Sequence, residues 1–506
     1  MKNRRILLIV ILMAITAQSC DTETSLSEKV KKYWWLFINP THNSDAVTII
    51  VNDSGVRKYY SVTLNYTVGR TPREIGTQYG WAIRRYIPDY ELMLRSYLHE
   101  LIEATKEIES WTVTYAMIKT RIDAIRPQLP QAYRDEIEGF AETLSDVGYD
   151  ADDILDHTYL AYTISLLPDV VRPFACNAFG VDASHSATGK SILYRTLEWE
   201  GGSANQLNKM HAIVKYINGS KTFYSIGYLG VMSVVSGINR SKIYAAILDS
   251  STLAHYGTPA NPRSYLYDLR SCLETMTSVD DIADYMSNKD GHYTDNGGIS
   301  PYAYNHLIFT GDATKALVVE NFVTNDNVSG FPKHQDVRAS ADRTRLGMLA
   351  SLNYDYWYHA SGSDGYLPVV NGFLKDVDLS PNYYFDNMMI IPYIFNFARI
   401  LAIKTQFIAK GGPGGTPFTV EDVKDIIIQS NTTKNPATDD WTDCTGPGNY
   451  MFGDVYNSDT QQIMIFQPDD GTGAMKLQVY FAPYMAPLPS CANLKTSFEE
   501  ITLTLP

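Results

Sequence analysis

The chain has 506 residues, 45% of them apolar and 19% charged, enough to bury a substantial core in one large or two smaller domains. Its formal net charge of -14 argues against nucleic acid as a partner, because phosphates call for clustered lysine and arginine. No Cys-x-x-Cys or His-x-x-x-His cluster occurs, so no metal is expected, and no collagen-like, coiled-coil or low-complexity period is present.

At the N-terminus Lys2, Arg4 and Arg5 lead into an apolar run from Ile6 to Ile15, followed by Ala17-Gln18-Ser19-Cys20. This is the pattern of an export signal, and the run is too short to span a membrane with ordinary flanks. Cys20, placed just after it, resembles the cysteine of a bacterial lipobox. That resemblance implies loss of residues 1–19, lipid attachment at Cys20, and a place on the cell envelope with the lipid as the only membrane contact. Plain secretion, with cleavage near Ala17 or Ser19, is the alternative. Residues 20–60 read as a polar linker, and two strand-like pieces lie at Ala46 to Val51 and Tyr60 to Thr67. Between Pro72 and about Leu167 the apolar residues fall at helical spacing, as in Tyr79, Ile83, Tyr86, Ile87 and Leu94, Tyr97, Leu98, Leu101. The stretch from Pro72 to about Leu167 is therefore expected to be helical.

Alternation of small polar and apolar residues begins at Cys176 to Val181 and returns at Ser191 to Trp199, with turn material between (Asp182 to Gly189). A hairpin there brings Cys176 level with Arg195. A guanidinium beside a thiol favours the thiolate, the nucleophilic form. The competing interpretation of Cys176 is a small buried hydrophobe. Farther on, strands predominate, and helices are expected at Ser264 to Met286, Asp342 to Leu352 and Val420 to Ile428. Two late strands, Gln461 to Gln467 and Met475 to Ala482, flank the turn signal Pro-Asp-Asp-Gly-Thr-Gly.

Three downstream segments place polar groups at the edge of apolar runs: Ser236 to Tyr244, Tyr304 to Asp312 and Ala341 to Leu346. With Cys176 and Arg195 they resemble N-terminal-nucleophile hydrolases of the linear-amide group, which includes choloylglycine hydrolases, penicillin V acylases and acyltransferase-type autoproteolytic peptidases. Gly69 to Gly80 (Gly-Arg-Thr-Pro-Arg-Glu-Ile-Gly-Thr-Gln-Tyr-Gly) and Tyr133 to Thr143 are similar to segments that precede the nucleophile in the last of these. The resemblance spans roughly residues 65 to 350. It implies an α+β fold, a four-layer αββα sandwich at 176–506, preceded by a helical pro-region at 61–175 that stays docked after cleavage. It implies self-cleavage between Ala175 and Cys176, with Cys176 then serving as nucleophile and its freed α-amine as base. Arg195 would hold the thiolate and the substrate carbonyl, and Glu198 the new ammonium group. Asn239 would form the oxyanion hole with Asn305 as the second asparagine, and Arg345, with Arg343 as its neighbour, would be the last family arginine. No cofactor is implied, and the partner would be a small acyl-amide substrate. The chain departs from the family at Glu198, where aspartate is usual, and at Arg240, where glutamate is usual.

Of the five cysteines, Cys20 and Cys176 have these expected roles, which leaves Cys272, Cys444 and Cys491. A Cys444 to Cys491 bridge fits an exported chain, and Cys272 falls in a helical stretch as a core residue. Two other functions compete: a cysteine hydrolase with His185, His211 or His306 as base and no chain cleavage, and a ligand-binding lipoprotein on an inactive scaffold.

Overall fold

A computed structural model describes residues 44–106, 112–145, 155–171, 176–249, 259, 261–287, 301–321, 335–339, 343–345, 357–359, 365–371, most of 399–429, and 454–505, with the backbone alone for 335–339, 343–345 and 357–359. Strands β1 (Val47–Asp53) and β2 (Lys58–Asn65) open it as an antiparallel pair. Then come α1 (Pro72–Tyr86), α2 (Tyr90–Thr105), α3 (Tyr115–Ile125), α4 (Gln131–Ala141), α5 (His157–Ser165) and the single turn α6 (Leu167–Val170).

Local chemistry sets the start of α1. Thr71 and Glu74 exchange capping hydrogen bonds and Pro72 takes the first helical position. Ile75, Tyr79 and Ile83 form its buried stripe, and Leu94, Tyr97, Leu98 and Leu101 do the same on α2. Helices α1 and α4 meet backbone to backbone. A Cβ on Gly76 would fall 2.0 Å from the Glu136 carbonyl oxygen, and one on Gly139 would fall 2.0 Å from that of Arg73. Both glycines belong to segments singled out in the sequence, and the crossing gives the physical reason for them.

Next are β3 (Cys176–Val181), β4 (Ile192–Glu198), β5 (His211–Ile217), β6 (Phe223–Tyr228), β7 (Ser236–Asn239) and β8 (Tyr244–Asp249). Helices α7 (Tyr265–Thr275) and α8 (Val279–Met286) lead to β9 (His306–Gly311), β10 (Ala316–Asn321), β11 (Gln335–Ala339), β12 (Arg343–Arg345), β13 (Trp357–His359) and β14 (Tyr366–Val370). The last elements are α9 (Val420–Gln429), β15 (Thr460–Gln467), β16 (Met475–Phe481), α10 (Cys491–Lys495) and β17 (Glu499–Leu503). Two expectations change. The single helix from Ser264 to Met286 is two, because Ser278 caps a new start by accepting from Asp281 N–H. In place of a helix at Asp342 to Leu352, Arg343–Arg345 pairs as a strand with Trp357–His359, a case of strand pairing overriding helix propensity; residues 346–352 lie outside the described residues.

Strands β1-β2-β5-β6-β7-β8-β9-β10-β11 form a nine-stranded sheet, antiparallel except where β2 runs parallel to β5. A six-stranded antiparallel sheet has the order β14-β3-β4-β15-β16-β17. Alternation along its strands separates two cores. Ala178, Leu193, Leu197, Met464 and Phe466 join the large core shared with the nine-stranded sheet. Phe179, Val181, Ile192, Tyr194, Ile463 and Ile465 face the other way, onto Val423, Ile426 and Ile427 of α9 and Leu494 of α10. Helices α7 and α8 pack against β7 to β10 of the larger sheet.

One buried charge cluster ties the early helices to the later chain. Arg270 of α7, 3% exposed, bonds Glu136 of α4 at 2.7 Å, Glu274 at 2.9 Å and the Met232 carbonyl at 2.8 Å. Its guanidinium lies 4.4 Å from the Tyr133 ring centre and 4.6 Å from that of Tyr216.

Candidate active site

Cys176 is the first residue of β3 and sits between the two sheets, 2% exposed. Across the hairpin it pairs with Leu197, while Arg195 pairs with Ala178. The arginine is thus two residues off the level position expected from the sequence. Residues opposite each other, and those two apart, share a sheet face, so Arg195 points into the same layer as the thiol. Its length covers the offset: Nη2 lies 3.4 Å from Cys176 Sγ and donates to the Ile247 carbonyl at 2.9 Å. Arg195 is 1% exposed, and its Nε and Nη1 have no partner among the described residues.

The alternate residues of the hairpin, Asn177, Thr196 and Glu198, face the opposite layer. Glu198 accepts from Asn177 Nδ2 at 2.7 Å and is ion-paired with Arg399, both fully buried. Arg399 Nη1 also donates to the Cys176 carbonyl and to Asn371 Oδ1, each at 3.3 Å. Asn371 follows β14, whose Val370 pairs with Asn177, and this puts it beside the start of β3. There its Oδ1 accepts from the Cys176 backbone N–H at 2.6 Å, while its Nδ2 donates to the Asp249 carbonyl at 2.6 Å. Thiol, backbone nitrogen and carbonyl of Cys176 are each contacted by a different side chain.

Burial pushes the Cys176 thiol above its ordinary value; the Arg195 guanidinium pulls it back down, and the Glu198 charge raises it further. Burial also lifts the Glu198 carboxyl to about 7, against the opposing pull of Arg399. Burial raises the Tyr228 and Tyr244 hydroxyls above their ordinary value, and the Arg195 charge pulls both back down. Tyr228 also lines an apolar cavity with Leu94 and Tyr97 of α2, Leu167 of α6, Trp199 and Val235.

The structure brings Cys176, Arg195 and Glu198 together with Asn371 and Arg399, which sequence reasoning did not pick out. The signal for Asn371 was a polar residue ending the apolar run Tyr366 to Val370. Asn239 lies elsewhere. It sits at the Tyr244 end of β8, five residues or about 17 Å from the Asp249 end. Its side chain is engaged in its own turn, accepting from Ser241 and Ile243 N–H and donating to the Met276 carbonyl. Asn305 precedes His306, which pairs with Asp249, so it stands at the site end of the larger sheet, 7% exposed. Arg345 lies in the separate β12–β13 ribbon, and its side chain, like residues Cys20, Ala175 and Cys444, is outside what is described. Cys491 is disulfide-bonded to a cysteine outside the described residues, and Cys272 is a buried thiol.

His211 stacks between Tyr228 and Phe481 with Nδ1 bonded to Gln462. His306 stacks on Tyr265 and is bonded at both ring nitrogens, by the Tyr304 carbonyl and Asn321. Burial holds both neutral, at about 3 and about 4. His185 lies beyond Val181, at the end of β3 away from Cys176.

No protein-family model and no curated protein matches the sequence. Among solved structures the chain is similar to a Caenorhabditis elegans ortholog of N-acylethanolamine-hydrolyzing acid amidase (10% identity, 59% of this chain and 95% of that one, TM-score 0.34). It is similar also to penicillin V acylase from Agrobacterium tumefaciens (9% identity, 62% of this chain and 84% of that one, TM-score 0.30). The chemical assignment of the site rests on its own geometry.

Proposed function

We propose that the protein is an exported, lipid-anchored, self-processing cysteine amide hydrolase of the N-terminal-nucleophile type, built as a four-layer αββα sandwich with its helical pro-region docked. One observation carries this reading. The Cys176 thiol lies against a buried arginine with donors unpartnered among the described residues, while the backbone nitrogen of the same residue is held by Asn371. A buried guanidinium with spare N–H groups suits an oxyanion that develops during reaction. A held backbone nitrogen suits a residue whose amide is to become an amine.

In self-cleavage the sulfur attacks the carbonyl carbon of Ala175. The carbon–nitrogen bond to Cys176 breaks, and the nitrogen leaves as an α-amine carrying the thiol's proton. Water then hydrolyses the thioester, which returns the thiol and leaves a carboxylate on Ala175. Turnover repeats the logic on an external amide. The α-amine, with an unperturbed pKa of about 7.7–8.0, takes the thiol proton. The substrate's amine departs with it, and water, or another amine, releases the acyl group from the thioester. Arg195 faces the oxyanion, while Asn371 and Arg399 orient the amine and the Cys176 carbonyl.

Intact-mass measurement of the purified protein beside a Cys176→Ala variant tests the reading, together with amine release from acyl-amide probes. Two pieces divided before Cys176 are expected for the wild type, and one inactive chain for the variant. An intact yet active wild type would instead favour a histidine-based cysteine hydrolase. An intact, inactive wild type with an unreactive thiol would favour a ligand-binding scaffold.

A further inference from the structure

Four consecutive residues shortly before Cys176 are each gripped by a polar group. The Tyr265 hydroxyl donates to the Pro168 carbonyl at 2.9 Å, and the Ser264 hydroxyl to Asp169 Oδ2 at 2.5 Å. Arg121 Nη1 donates to the Val170 carbonyl at 2.6 Å, and the Tyr304 hydroxyl to the Val171 carbonyl at 3.3 Å. These donors come from three places distant in sequence: the start of α7, α3, and the approach to β9. Arg121 and Tyr304 are joined to each other, Nη1 to hydroxyl at 2.8 Å, with the guanidinium 5.6 Å from the ring centre. Both are buried, at 6% and 5% exposure.

The ordinary explanation is a helix end whose last carbonyls need donors, but at an exposed end water supplies them. Here a guanidinium is buried to do it, and burying a cation is costly unless it is well bonded. On the far side, Cys176 is fixed through its N–H by Asn371 and through its carbonyl by Arg399. Only residues 172–175 lie between the two holds. Fixing both ends of so short a span removes much of the entropy that an attack within it would otherwise cost.

We propose that this grip on residues 168–171 is a positioning device for self-cleavage of the Ala175–Cys176 bond, with Arg121 and Tyr304 as its positioning residues; it rests on the self-processing reading above. Neither residue touches the thiol through any contact described for the site, so each acts on the geometry of the scissile segment and not on turnover of an external substrate.

The experiment follows conversion of full-length chain to two fragments over time, by intact mass, in the wild type and in Arg121→Met, Arg121→Lys and Tyr304→Phe variants. Cys176→Ala serves as the non-cleaving reference. Cleavage in Arg121→Met is expected to slow by about 10- to 100-fold, with Tyr304→Phe intermediate and Arg121→Lys recovering most of the rate. Once cut, each variant is expected to hydrolyse an acyl-amide probe with undiminished kcat/KM, which a general loss of structure would not allow. Cleavage at the wild-type rate in both Arg121→Met and Tyr304→Phe overturns the proposal, as does slow cleavage accompanied by an equal loss in kcat/KM of the cut enzyme. If Arg121→Met does not fold, Tyr304→Phe, which lacks one hydroxyl only, decides alone. A wild type that never cleaves overturns the self-processing reading itself, and this proposal with it.

Discussion

Arg195 and Arg270 are both buried arginines in one large core, 1% and 3% exposed, yet their surroundings differ in kind. Arg270 is saturated, with two carboxylates, a carbonyl and two aromatic faces around it. Arg195 spends a single nitrogen on the thiol and one carbonyl, and leaves Nε and Nη1 without a partner among the described residues. A buried donor left unmade costs stability, about 1–3 kcal/mol or more for a charged group. On the proposed function, Arg195 is held for chemistry beside the thiol, whereas Arg270, with every donor met, joins helices.

Substitution separates the two. Arg270→Met leaves Glu136 and Glu274 buried without their cation, and breaking such a pair typically costs about 3–5 kcal/mol. Denaturant unfolding should show that loss, while any folded fraction keeps its activity per molecule. Arg195→Met should do the reverse: turnover falls about 100- to 1,000-fold, the effect of removing one oxyanion donor, and the unfolding midpoint stays close to that of the parent. If Arg195→Met destabilised as much as Arg270→Met and spared turnover, the distinction between them would collapse.

A smaller effect comes from the helix crossing that carries Glu136 to Arg270. Gly139→Ala drives a methyl into the Arg73 carbonyl and should cost about 1–3 kcal/mol, read as a lower melting temperature with unchanged kcat. The smallest signal is a slope with pH. The folded pKa of Glu198 is raised from 4.5 to about 7 by burial, so between those values the folded state binds more protons than the unfolded one. Stability from this group is therefore greatest below about pH 4.5 and declines as pH rises through about 7. The melting-temperature advantage of wild type over Glu198→Gln should narrow across that window and then level off. An advantage that widens would mean that the Arg399 charge outweighs burial.

What the sequence disclosed follows the range of the interactions. Helical stripes in α1 and α2, and the β3–β4 hairpin, depend on residues near one another in the chain, and their periodicity is legible. Cys176, Arg195 and Glu198 fall within one such hairpin. Asn371 and Arg399 reach Cys176 from 195 and 223 residues away; the end of an apolar run is the one local mark of Asn371, and Arg399 has no such mark. Asn239 stands out because its segment resembles the family's oxyanion segment, but asparagine at a strand end also fits a turn, and a turn is what it builds. The split between α7 and α8 was written in Ser278, a capping residue inside an otherwise continuous helical spacing.

The parallel pairing of β2 with β5 carries a consequence for the life of the molecule. A cut before Cys176 would leave β1 and β2 on one chain and the remaining seven strands of their sheet on another. Folding before the cut is a first-order event. After it, reassembly would require two chains to meet, and so would depend on concentration. The cut would then act as a ratchet: a molecule that opened once in dilute surroundings would not close again, and its persistence would be set by the rate of unfolding instead of by an equilibrium.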